Sequence, residues 1–223
     1  MMERYSRLLE LNDITPDKLD LLKSKRVLII GVGGVGQTVA TYLVTNGVTN
    51  LTIIDFDKVE LSNLNRQILL TEKDIGKDKV EIVKCALLAR NSEAHITSYN
   101  FKVDDSNIKD VINDYDLVVD AVDNWKSKML ISDACKINNI PFMHVGVDGY
   151  SGQFCLFKNK SLGDIVSNDI LESPKDGVLG PMVGLISSLS CLDVLHYLLG
   201  LDVETDLLFY FDYNSSNFKK IKI

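Results

Sequence analysis

Residues 26–36 read RVLIIGVGGVG, an apolar run that starts at a charge and ends in a glycine-rich turn. The run predicts a buried strand. Gly31, Gly33 and Gly36 stand in the GxGxxG spacing, which lets the backbone turn tightly, approach a phosphate and open a helix whose N-terminus favours negative charge. A helical pattern comes next, and LTIID at 51–55 forms a second apolar run ending in Asp55, where a carboxylate accepts hydrogen bonds from ribose hydroxyls. Strand, helix and strand make a βαβ unit, so this stretch predicts a nucleotide site on a doubly wound sheet.

The alternation continues outward. A helix over 77–91, a strand at 95–100 (HITSYN), a buried parallel strand at 116–122 (DLVVDAV), a helix over 124–138 and a strand at 141–147 (PFMHVGV) succeed one another. Small and apolar residues alternate at 152–157, the expected start of an antiparallel continuation. Residues 158–180 are polar and aperiodic, as expected of a substrate-crossing loop. PMVGLISSLSCLDVLHYLLG at 181–200 predicts a core helix opened by proline and closed by glycine, and LLFYFDY with NFKKIKI a terminal hairpin. Ahead of the first strand, residues 3–11 and 16–23 predict two short helices, the second started by Thr15 and Pro16. The fold class is therefore α/β: a Rossmann-like, mostly parallel sheet continued by antiparallel strands, with a short helical N-terminal extension. Read as one domain over 1–223, the chain divides into N-terminal helices at 1–25, a nucleotide-binding half at 26–146 and a substrate-binding half at 147–223.

Composition narrows the function. With 46% hydrophobic and 25% charged residues the chain can bury a real core, and a formal charge of −7 argues against broad nucleic-acid binding, which needs cations facing phosphates. No run reaches eighteen apolar residues, and MMERYSRLLELN has charges where a signal peptide needs its apolar stretch. The expectation is a cytoplasmic protein with no membrane or nucleic-acid partner. Cys85, Cys135, Cys155 and Cys191 form no CxxC pair, so zinc is not expected, and all four are read as small buried hydrophobes.

A glycine loop alone does not separate NAD, FAD and ATP. The residues beyond Asp55 do: DFDKVELSNLNRQ at 55–67 carries Arg66, and GKDKVE at 76–81 puts Lys79 at the next helix start, so two cations face one nucleotide. DLVVDAVDN at 116–124 places Asp123 and Asn124 at the carboxyl end of a parallel strand, where open α/β sheets build ligand crevices and where a carboxylate suits magnesium. A triphosphate gathers several like charges in one place. A misplaced like-charge contact there costs about 4 kcal/mol at ~4 Å and an effective dielectric of ~20, so cations must converge where the oxyanions meet.

These segments, with RYSRLLEL at 4–11 and GVLGPMVGLISSL at 177–189, resemble in order those of the ubiquitin-activating-enzyme-like adenylyltransferase family of the ThiF/MoeB/HesA type. The resemblance covers nearly the whole chain. It implies ATP-dependent adenylation of the C-terminal carboxylate of a ubiquitin-like sulfur carrier protein, with magnesium and release of pyrophosphate, by a homodimer. It implies that Gly34 lies near the phosphates, Asp55 holds the ribose, Asn63, Arg66 and Lys79 hold the triphosphate, Asp123 binds magnesium, and Arg7 reaches into the partner subunit's site. The full candidate nucleotide set is Gly31, Gly33, Gly34, Gly36, Asp55, Asp57, Asn63, Arg66, Lys79, Asp123 and Asn124, with Arg7, Arg66, Lys79 and Asp123 as the catalytic candidates.

The chain departs from the family in two ways. It lacks the paired zinc cysteines, and Ser173 stands about where the family's crossing-loop cysteine would be; a serine hydroxyl ionises too poorly to replace a thiolate. Turnover is therefore expected to stop at the acyl-adenylate. Two other readings keep the nucleotide site: adenylation of a short peptide with a free C-terminus, as in peptide-antibiotic modification, and a non-catalytic nucleotide-binding subunit. The mark of the latter is loss of Arg66, Lys79 or Asp123, and all three are present. A nicotinamide dehydrogenase lacks an evident proton relay here.

Overall fold

The computed structural model describes residues 2–166 and 177–223. Eight strands form one sheet in the order β3-β2-β1-β4-β5-β6-β7-β8. β1 (Arg26–Ile30), β2 (Asn50–Ile54), β3 (His95–Tyr99), β4 (Leu117–Asp120) and β5 (Phe142–Asp148) are parallel. β6 (Ser151–Phe157), β7 (Leu207–Asp212) and β8 (Asn217–Lys222) continue it antiparallel.

The central strands are continuous apolar runs because helices cover both faces. Val27, Ile29, Ile53, Leu117 and Val119 point into a core shared with α2 (Gly34–Asn46), α3 (Lys79–Arg90) and α6 (Gly180–Leu198). Leu28, Ile30, Val118 and Phe142 face the other way, against α4 (Ile108–Val111) and α5 (Trp125–Ile137). Helices α2 and α5 thus leave the neighbouring strands β1 and β4 on opposite faces, and a crevice opens at the carboxyl ends of these strands, the switch point of the sheet. α6 is apolar enough in length and composition to cross a membrane, yet it lays Met182, Ile186, Cys191, Val194 and Leu198 into the first core.

α1 (Pro16–Ser24) starts as expected, Thr15 Oγ1 accepting from Lys18 N at 3.3 Å with Pro16 at the first position. The segment before it differs from expectation. Residues 3–11 form a 3-10 turn at Met2–Tyr5 and further isolated turns, not an α-helix. Their bonds change span from one to the next (Ser6 N to Glu3 O, Leu9 N to Tyr5 O, Leu11 N to Leu8 O), so no ladder propagates. Anchoring by Tyr5 decides the path: its ring is buried and its hydroxyl accepts from Asn91 Nδ2 at 3.3 Å.

Cys85 also departs from expectation. α3 buries Val80, Val83 and Leu87, and Cys85 falls on the opposite, exposed face, while Cys135, Cys155 and Cys191 are buried. Residues 167–176 of the expected crossing loop, Ser173 among them, lie outside the described residues.

Candidate functional site

The glycine loop joins β1 to α2. Gly31 has φ +93°, and a Cβ there would stand 2.6 Å from Ala121 O; at Gly36 it would stand 2.0 Å from Gly31 O. Both glycines are forced by close backbone approach. Gly33 is the N-cap of α2, with no side chain capping the helix and no acidic residue in its first turn. The first N–H groups of a thirteen-residue helix therefore open at the crevice, a ready anion site. Asp55, just past β2, accepts from Val32 N through Oδ2 and from Asp57 N through Oδ1, both at 2.8 Å. Burial raises its pKa against the pull of those two bonds.

Gly34 has a steric reason to be glycine. A Cβ there would meet Val183 Cγ1 at 2.8 Å and Arg66 O at 3.0 Å, and at Gly180, the first residue of α6, one would meet Asn65 O at 2.5 Å. The backbone at 65–66 is clamped between two helix starts. Arg66 projects from this clamp half-buried, its guanidinium donating to Ser62 O and Asn65 Oδ1, each at 2.9 Å. Among the described residues no carboxylate pairs with it.

Lys79 opens α3 with only 6% of its side chain exposed, its Nζ 2.8 Å from Asp57 Oδ2. Asn63 is buried in its own turn: its Oδ1 accepts from Glu60 N in a capping box with Glu60. The structure thus brings Gly33, Asp55, Asp57, Arg66 and Lys79 to the loops beyond β1 and β2, and gives Asn63 a local structural role there.

Across the crevice, Asp123 is exposed and Asn124 is the N-cap of α5, accepting from Ser127 N at 2.9 Å. Beneath them lies a cluster that the motifs do not reveal. Asp120, fully buried at the end of β4, accepts from Val122 N (3.1 Å) and Lys128 Nζ (2.8 Å) and faces His144 Nδ1 (3.1 Å). Lys128 also donates to Val145 O at 2.8 Å. Burial opposes ionisation of Asp120, but Lys128 and His144 outweigh it and hold the carboxyl below its ordinary range. The available signal was a histidine inside the apolar strand PFMHVGV, one strand over from an aspartate ending another.

Arg7 stands away from this crevice. Its side chain is 89% exposed and pairs with Glu10 at 3.0 Å. Tyr5, two residues earlier in the sequence, is anchored at Asn91, which caps the far end of α3.

The model for the ThiF family matches residues 5–223. The chain belongs to the ThiF family. Among curated ThiF-like relatives, a probable molybdopterin-synthase adenylyltransferase of Gracilaria tenuistipitata var. liui is 34% identical over 99% of this chain and 64% of its own length. The molybdopterin-synthase adenylyltransferase of Escherichia coli (strain K12) is 34% identical over 89% of this chain and 83% of its own. An adenylyltransferase and sulfurtransferase MOCS3 of Aedes aegypti is also 34% identical, over 99% of this chain but 52% of its own length, so the chain spans only part of such relatives. Of solved structures, E. coli MccB with ATP superposes at a TM-score of 0.88 with 23% identity, covering 98% of this chain and 71% of MccB. PaaA gives 0.83 with 25% identity, covering 100% and 73%. The MccB likeness is one of fold.

In this ThiF chain Asp123, an exposed carboxylate just beyond β4, is a hard oxygen donor of the kind that suits magnesium. No group of three His, Cys, Asp or Glu that could cage a metal occurs among the described residues, and magnesium commonly takes one or two carboxylates and fills its remaining positions with phosphate and water.

Proposed function

We propose that this chain adenylates the C-terminal carboxylate of a ubiquitin-like sulfur carrier protein with ATP, releasing pyrophosphate. The observation that carries the reading is the convergence on one crevice of an uncapped helix start at Gly33, the clamped Arg66 and the buried Lys79. Three electropositive groups on fixed backbone suit a triphosphate, and they suit the charge that develops as pyrophosphate departs. Asp55 takes the ribose with lone pairs left over from its two backbone bonds. Asp123 would hold magnesium, which neutralises phosphate charge when bound. The acceptor's own carboxylate is the nucleophile, so the chain needs no nucleophilic side chain. Arg7, exposed and remote, is assigned to the partner's crevice in a homodimer. The names of relatives at 34% identity favour a carrier protein over a short peptide as acceptor.

The test is carrier-dependent exchange of pyrophosphate into ATP. Exchange is expected to require both magnesium and a free carrier C-terminus. Equal exchange with a C-terminally amidated carrier, or none with any carrier, would overturn the reading.

A further inference from the structure

His144 and Gln153 lie outside the nucleotide set, yet they belong to one hydrogen-bonded chain that begins beneath Asp123. Asp120 takes Lys128 and His144 Nδ1 on Oδ2, and Nε2 of the same ring lies 3.4 Å from Gln153 Nε2 on β6. Asp120 is ionised and only accepts, so the neutral ring donates from Nδ1 and accepts at Nε2. Gln153 must then turn its NH2 group to the ring. Its amide orientation is fixed, and no described residue donates to its Oε1.

Register places this oxygen on a path. Gln153 is half-buried and lies opposite Gly146 on β5 and Tyr210 on β7, and Tyr210 lies opposite Lys219 on β8. His144 sits opposite Asp120, the last residue of β4. The row Lys219, Tyr210, Gln153 and Gly146 therefore crosses the antiparallel half from its open edge toward the crevice, and the glycine leaves the last step without a side chain. A carboxylate that reaches the crevice by this route belongs to a chain whose preceding N–H groups need acceptors.

We infer that Gln153 is a specificity-determining residue for the acceptor, its carboxamide oxygen accepting a main-chain N–H from an extended C-terminal segment laid across the antiparallel half. Lys128, Asp120 and His144 are positioning residues that hold the amide in its accepting orientation. The inference rests on the adenylation reading, so two measurements keep their failures apart: calorimetric binding, without ATP, of a ubiquitin-like carrier with a free C-terminus, and pyrophosphate exchange with the same carrier. Gln153→Met should weaken carrier binding and raise its KM about three- to ten-fold, the effect of one lost hydrogen bond, while exchange at saturating carrier stays within about two-fold and ATP binding is unchanged. His144→Phe should shift carrier binding less in the same direction. The double variant should be no worse than Gln153→Met, since the relay then has nothing left to orient. Should His144→Phe not fold, Gln153→Met decides alone. Carrier binding and KM unchanged in Gln153→Met overturn the inference. Gln153-dependent binding without exchange overturns only the adenylation reading, and absence of any carrier binding overturns both.

Discussion

Two lysine–aspartate pairs flank the crevice with the same 2.8 Å contact and opposite surroundings. In Lys79–Asp57 the lysine is buried but the carboxylate side chain is 48% exposed; in Lys128–Asp120 the carboxylate is fully buried and a histidine and two backbone groups complete the set. Distance alone does not distinguish them, but solvation does. Asp57 is half in water, so Lys79 can leave it for a phosphate oxygen at little cost, whereas Asp120 is shut away from water and would lose its nearest charge with Lys128. On the adenylation reading the first pair is a binding device and the second is scaffold.

That contrast breaks if the two lysines respond alike to substitution. Lys128→Met strands Asp120 as a buried charge and should cost about 3–5 kcal/mol in denaturant unfolding. Because the Asp120 pKa is depressed, the stability its pairing contributes is present above the ordinary carboxylate range and is lost as pH falls through and below it, so the deficit of the variant should shrink in acid. Lys79→Met should leave stability within about 1 kcal/mol yet lower carrier-dependent exchange by about two powers of ten, and Arg66→Ala should do the same. Equal stability losses at both lysines would dissolve the distinction.

A smaller effect sharpens the role of the clamp. A methyl group at Gly180 must displace Asn65 O, and Arg66 with it, so Gly180→Ala should lower exchange about ten-fold at a cost of about 1–2 kcal/mol. Gly184→Ala on the same helix meets nothing within 4 Å and should leave exchange unchanged. Parallel losses in both would mean that α6 as a whole, rather than the clamp, sets the activity.

The smallest effect lies on the scaffold side. Burial pushes the Asp193 carboxyl up to about 6, and its Oδ2 has no described partner. The folded chain holds a proton there that the unfolded chain releases, so stability falls as pH rises from about 4 to about 6 and is flat in this respect above. Asp193→Asn should therefore stabilise the fold above pH 6 by about 1 kcal/mol after allowing for partial exposure, read by denaturant unfolding, and give no gain below about pH 4. A gain independent of pH would assign it to packing.

The sheet was legible because its signals are local. RVLIIG and DLVVD are continuous apolar runs, and the strands appear within a residue or two of where those runs predict. Fold and family were readable from motif order. The 3–11 segment misled because its path is set by where Tyr5 docks, an event some 86 residues away in sequence at Asn91. Cys85 misled because a small apolar residue fits either face of α3. Within the site, Arg66 and Lys79 stood out as unexpected charge, but the two glycines clamping Arg66 and the Asp120–His144 contact depend on strands and helices meeting in space. The strands and motif residues were therefore readable in the sequence, and the side-chain contacts that join them across the sheet were not.

The central claim is that this crevice holds a triphosphate rather than a dinucleotide. Calorimetric titration of the purified chain with magnesium ATP and separately with NAD tests it most directly. Saturable binding of ATP, weakened in Arg66→Ala, with no binding of NAD, is the predicted result. Tight NAD binding with no ATP binding would contradict the account.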